Sequence, residues 1–275
     1  MKSNKLKKWL AAPYAVWAAG FIIIPLILIL YYAFTGEEGG FTLSNFAYVA
    51  TKENIKALGL ALWLSLLSTA LCLLLAYPLA MILANRNVNQ TSFIVLIFIL
   101  PMWMNFMLRI LAWRLLLSNN GIVNALFGLF GFGPVKMLNT PTAVVFGMVY
   151  DFLPFMILQI QTSLSKMDNS LLEASADLGA SPAQTFKRVT LPLSVPGIIN
   201  GITLVFLPAV SSFFIPKLLG GGQYFLIGNM IENQFITVGE WNFGSAISMI
   251  MAVIMMVLMM VVRKIEIRNQ GGKGV

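Results

Sequence analysis

Six apolar runs divide the chain, at roughly residues 10–34, 57–84, 92–117, 142–164, 193–217 and 243–262. An α-helix needs ~20 apolar residues to cross the hydrocarbon of a bilayer. The pattern therefore predicts an all-α membrane protein with six spanning helices. Polar stretches separate the runs. Residues 35–56 carry Gly, Glu and Lys, 85–91 form a tight turn, and 118–141 hold Asn-Gly and Gly-Phe-Gly-Pro. Residues 165–192 are charged, and 218–242 are rich in glycine. A basic segment, 1–9, opens the chain, and a polar tail, 265–275, closes it. The start has the basic-then-apolar order of a signal peptide, but the run continues through Phe34 with no clear small-residue cleavage site. It reads as a retained first membrane helix.

Prolines lie inside these runs, at Pro25, Pro78, Pro101, Pro154, Pro196 and Pro208. Each removes one backbone hydrogen bond and tends to kink its helix. Membrane helices tolerate this where neighbours satisfy the freed carbonyls.

Composition narrows the function. Of 275 residues, 59% are hydrophobic and 10% charged, against about 25% charged in soluble domains. The net charge of +8 does not point to nucleic acid, because the basic residues cluster at the ends of apolar runs. With the N-terminus inside, inner segments hold twelve Lys and Arg and outer segments four. That bias predicts both termini, and the 165–192 loop, on the cytoplasmic side. There is no histidine and one cysteine, Cys72. An intrachain disulfide, a His/Cys metal cluster and a His-based triad are all excluded.

The most structured polar stretch runs from Glu173 to Gly197, EASADLGASPAQTFKRVTLPLSVPG. Glu173 to Leu178 read as a short helix with small residues on one side. Gly179 can end it in a left-handed conformation. Ser181-Pro182 reads as a cap and first-turn proline opening a second short helix, which Leu191-Pro192 is expected to break. Glu-Ala-x-x-x-x-Gly, followed twelve residues later by Leu-Pro, resembles the EAA loop of membrane subunits of ABC-type importers. Ser175 stands where that pattern commonly has Ala, and Val189 where it commonly has Ile. The resemblance implies that Glu173, Ala174, Asp177, Gly179, Ala180 and Ser181 couple the helices mechanically to a cytoplasmic ATPase.

Ionisable groups within the hydrocarbon are functional candidates by default. Asp151 lies about nine residues into the fourth run, near mid-bilayer at ~1.5 Å per residue. It could meet a cationic substrate or pair with Arg109 of the third run, and both readings stay open. Arg114 lies nearer the outer edge, where it can snorkel. Trp113 reads as an interface anchor. Trp103 and Asn105 lie deeper and, with Tyr150, could line a path for organic cations. Ser211 and Ser212 put hydroxyls in the fifth run, and Pro208 and Pro216 bracket an irregular segment. Outer-side acids Glu37, Glu38, Glu53, Glu232 and Glu240 could gather cations or simply be solvated. Leu219 to Gln223, LGGGQ, imitates an ABC ATPase signature, but the chain has no GxxxxGK[ST] phosphate loop.

The third run, VYDFLPFMIL, the EAA loop and the LPA…LLGG…IGN…W segment together resemble spermidine/putrescine importer permeases, from about Phe41 to Ile250. Asp151 and Asn242 depart from that pattern. The resemblance implies a type I ABC importer permease (MetI-like) fold over residues 10–264, in a bacterial cytoplasmic membrane. It also implies a second permease subunit, two copies of a cytoplasmic ATPase and an extracytoplasmic binding protein. No cofactor would bind this chain, and ATP and Mg would act at the partner ATPase. Two alternatives remain: a permease of this kind for another small organic solute, and an ATP-independent transporter or channel. The latter calls for inverted repeats or more intramembrane ionisable groups than Asp151, Arg109 and Arg114. A membrane-embedded enzyme is disfavoured by the absence of histidine and of paired intramembrane carboxylates.

Overall fold

The computed structural model describes residues 13–14, 16–36, 39–84, 100 and 102–271, with side chains as far as Ile265. Twelve α-helices follow one another among the described residues. They are α1 (Ile24–Phe34), α2 (Ser44–Val49), α3 (Lys52–Ala84), α4 (Phe106–Leu116), α5 (Ile122–Leu129) and α6 (Pro141–Ser165). After them come α7 (Asn169–Asp177), α8 (Pro182–Thr185), α9 (Leu191–Ser211), α10 (Phe214–Leu219), α11 (Ile227–Glu232) and α12 (Trp241–Gly271). Among the described residues, five helical segments are long and apolar enough to cross a membrane: Val16–Phe34, Lys52–Ala84, Pro141–Ser165, Pro182–Ser211 and Trp241–Ile265. The residues group into two compact units, Met1–Lys56 with Met230–Met255, and Ala57–Asn229 with Met256–Val275.

In the first unit, polar side chains close the ends of helices that hydropathy alone leaves open. The amide of buried Asn45 donates to the carbonyls of Ala33 and Thr35, each at 3.0 Å. It thereby satisfies acceptors that the C-terminus of α1 leaves unpaired. Asn54 does the same for Tyr48, at 2.7 Å. Rings pack across the unit, with Tyr32 against Trp241 at 5.9 Å and Tyr48 against Phe243 at 4.6 Å.

In the second unit, α6 and α9 form the central pair. Gly197 and Gly201, one turn apart, present a bare backbone to α6. A Cβ at Gly197 would stand 2.7 Å from the Gln159 carbonyl and 2.5 Å from Ser163 Cβ, and one at Gly201 would stand 2.5 Å from the Met156 sulfur. This small-xxx-small spacing lets the two helices approach closely, which favours association where burial against lipid gives no hydrophobic gain. Fully buried Ile110, Met148, Met156, Ile157, Ile160, Ile215 and Leu219 fill the space around them. Leu66, Leu74, Leu204 and Met256 stay exposed, an arrangement suited to lipid or a partner rather than water.

Three expectations are corrected. First, Leu191-Pro192 does not break the chain, and the helix runs on from Pro182 to Ser211. A π turn at Phe186–Thr190 precedes the proline, and Leu191 donates to the carbonyl of Phe186, five residues back. The wider turn carries the helix past a residue with no N–H to give. A second π turn, Ala19–Ile23, precedes Pro25 in the same way. Second, the fifth span ends at Ser211, not 217, and its C-cap Ser212 is extended at φ −63° and ψ 133°. The freed carbonyl of Phe213 accepts from the Asn229 amide at 2.8 Å.

Third, residues 92–117 are not one continuous described helix. Residues 92–99 and 101 lie outside the described residues, and α4 begins only at Phe106. The 118–141 stretch also contains a short helix, α5. Its buried Asn124 holds the loop closed, donating to Ser118 and Val135 carbonyls and accepting from the Val135 N–H at 2.9 Å. The glycines of LGGGQ also have a structural duty. Gly221 has φ +61°, and a Cβ there would lie 1.9 Å from Asn139 Oδ1. The Asn139 N–H donates to the Leu219 carbonyl.

Candidate functional site

The charged loop folds into a helical elbow. Asp168 caps α7 by accepting from the Ser170 N–H at 3.0 Å. That hydrogen bond holds the exposed carboxyl below the usual carboxylate range. At the far end Gly179 has φ +74°. The Gly179 N–H donates to Ala176 and the Ala180 N–H to Ser175, the paired bonds of a Schellman turn. Ser181 then caps α8 in a full capping box with Gln184. Glu173, Ala174, Asp177, Gly179 and Ser181 are exposed, and Ala180 is half-buried. Leu178, at the tip of the turn, is 88% exposed. The elbow thus presents an exposed apolar tip with the carboxylates of Glu173 and Asp177 on the helix before it.

Two clefts flank the elbow. One, of about 400 Å³, lies between α7, α8 and the ends of α3 and α6, and the other, of about 510 Å³, lies inside the bend. Sequence reasoning missed the contact between them. Buried Ser175 places its Oγ 2.7 Å from Thr185 Oγ1. The signal was present, since a hydroxyl stood at 175 where the EAA pattern favours Ala, with another ten residues on. Nor did it single out Tyr77, whose hydroxyl lies 2.8 Å from Ser194 Oγ.

The second cluster lies in the hydrocarbon. Ten residues into α6 at ~1.5 Å each, Asp151 is about 15 Å from the helix start. It forms a buried salt bridge with Arg109 of α4. Arg109 also lies over the Tyr150 ring, 5.9 Å from its centroid. Tyr150 packs against Trp113 at 5.2 Å, and Trp113 against Phe146 at 4.6 Å. Trp113 therefore joins α4 to α6, where an interface anchor was expected. Arg109, Tyr150 and Asp151 form one cluster. Trp103 is 77% exposed. Asn105 stands at a helix start rather than mid-helix. It caps α4, accepting from Met107 and Leu108 N–H groups at 2.9 and 3.3 Å. Ser211 turns its hydroxyl back on the carbonyls of Leu207 and Pro208, and Ser212 sits in the break after α9. No group of three or more His, Cys, Asp and Glu residues able to hold a metal occurs among the described residues.

Residues 76–268 match the model of the family described as binding-protein-dependent transport system inner membrane component. The chain belongs to this family. The permease is 38% identical over 264 residues to the spermidine/putrescine transport system permease protein PotB of Haemophilus influenzae, covering 92% of this chain and 91% of that one. It is 36% identical to PotB of Escherichia coli K12 over 246 residues, or 86% and 90% of the two chains. Among solved structures, a bacterial ABC transporter that imports the acidic polysaccharide alginate superposes with a TM-score of 0.83 at 18% identity, covering 97% and 96%. The MetNI methionine transporter gives a TM-score of 0.57 at 17% identity over 78% and 95%. These likenesses show an ABC importer permease fold. The permease is thus a transport component of a membrane.

Proposed function

We propose that this permease is one subunit of an ATP-driven importer of polyamines, spermidine or putrescine, and forms half of the translocation path. The observation that carries the substrate class is identity of 36–38% to PotB proteins over most of both chains. A second permease subunit, two copies of a cytoplasmic ABC ATPase and an extracytoplasmic binding protein complete the assembly. ATP and Mg act at the ATPase, and this chain binds neither. The membrane is the bacterial cytoplasmic one, with both termini inside.

The exposed elbow, Glu173 to Ser181, docks into the ATPase. Nucleotide binding draws the two elbows of the complex together, and the helix bundles rock between inward-facing and outward-facing states. A polyamine is a chain of ammonium groups, costly to desolvate without acceptors or aromatic faces. Trp103, Tyr150, Ser211 and Ser212 offer such groups, whereas Asp151 is engaged by Arg109 and acts on substrate only if that pair opens. The test is uptake of labelled spermidine and putrescine into liposomes holding the complete complex, with binding protein added outside. Uptake that requires ATP and every component supports the reading. An assembled, ATP-hydrolysing complex that moves neither polyamine overturns the substrate class, and uptake by this chain without ATP overturns the importer.

A further inference from the structure

The elbow has a hinge with no steric stop. A Cβ placed on Gly179 would meet nothing within 4 Å, so no side chain packs against the turn at that position. Across the bend, the Ser175–Thr185 hydroxyl bond of 2.7 Å ties α7 to α8. This bond lies where the two clefts meet, Thr185 lining one and Ser175 the other. Ser175 is 9% exposed and Thr185 is half-buried, so water competes little for either hydroxyl.

The tie continues into the membrane helices. Phe186, the next residue, sets its ring edge-on to Tyr77 of α3 at 5.6 Å. The Tyr77 hydroxyl in turn bonds Ser194 of α9. Elbow, α3 and α9 are therefore joined by contiguous contacts of short, directional groups.

We infer that Ser175 and Thr185 are positioning residues for energy coupling, their hydrogen bond making the elbow one rigid lever that delivers a displacement of α7 to α3 and α9. Without the bond, a push on α7 is absorbed by bending at Gly179. The inference rests on the importer reading proposed above, and it adds a role for Ser175, buried within the elbow, and for Thr185 beyond it.

The experiment compares uptake per ATP hydrolysed in the complete reconstituted transporter, alongside its thermal midpoint. Ser175→Ala is expected to lower that ratio roughly fivefold, the factor that loss of one ordinary hydrogen bond represents. Ser175→Thr keeps a hydroxyl and is expected to retain the wild-type ratio. The Ser175→Ala/Thr185→Val pair removes both hydroxyls, leaving no buried group unsatisfied, and is expected to recover thermal stability but not the ratio. An unchanged ratio in Ser175→Ala overturns the inference while leaving the importer intact. Recovery of the ratio together with stability in the double variant reduces the bond to a packing role and overturns it as well. A wild-type complex that couples no hydrolysis to uptake sinks the importer reading and the lever with it.

Discussion

Replacing Asp151 with Asn tests what the intramembrane carboxylate does. Both partners of the Arg109–Asp151 pair have side chains less than a tenth exposed, 9% and 8%. Truncating one partner of such a buried pair costs about 3–5 kcal/mol, because the remaining charge loses its compensation. The amide oxygen of Asn can still accept a hydrogen bond from Arg109, which keeps the cost at the low end of that range. A net loss of ~3 kcal/mol is therefore expected for Asp151→Asn. Arg109→Gln added to it removes the unbalanced charge and should restore most of the loss, so that the double variant costs well under the sum of the two single variants. The assay is equilibrium unfolding of the purified protein in mild detergent for wild type, both single variants and the double. Stability of Asp151→Asn within ~0.5 kcal/mol of wild type, accompanied by lost polyamine uptake, would refute the reasoning and assign the carboxylate to substrate.

Three further outcomes are expected. Gly197→Val would drive a side chain into the Gln159 carbonyl, 2.7 Å from the Cβ position, costing about 1–3 kcal/mol. Unfolding measurements that find it neutral would show that α6 and α9 separate freely. Gly179→Pro should insert and assemble yet lose ATP-driven uptake, because φ +74° is closed to a ring fixed near −65°. Normal uptake would remove the elbow from coupling. For Asp168 the sign follows from its depressed carboxyl. A carboxylate held low in the folded state stabilises α7 at neutral pH, and the contribution fades as pH falls below about 4. Amide exchange at Ser170, corrected for intrinsic rate, should accelerate at pH 3 relative to pH 7. Equal protection at both would show that the cap contributes nothing.

The elbow was legible in outline because its signals are local. A glycine at the end of α7 and a Ser-Pro at the start of α8 act through their own backbone, and the turn follows wherever they stand. Asp168, ahead of Asn-Ser, was an equally local cap and could have been read. Ser175 with Thr185 was harder, because the meeting of two hydroxyls ten residues apart depends on the turn between them. The Gly197-x-x-x-Gly201 spacing was visible, but the residues it meets on α6, Met156, Gln159 and Ser163, are 34 or more residues upstream.

Hydrophobic runs, charge bias and the EAA pattern were enough to determine an all-helical membrane protein and its family. Lipid imposes that legibility, since a spanning segment must satisfy its own backbone and shed its charges, and both demands are written in composition. Only the tertiary structure decided where the helices stop and how the polar groups are used. Hydropathy does not register that a π turn carries the chain past Pro192, that Asn105 starts a helix, or that Ser212 ends one. Those outcomes depend on which backbone groups find partners in space. The same holds for Asp151, whose sequence neighbourhood allowed substrate or salt bridge. The packing of α4 against α6 brought Arg109 to it.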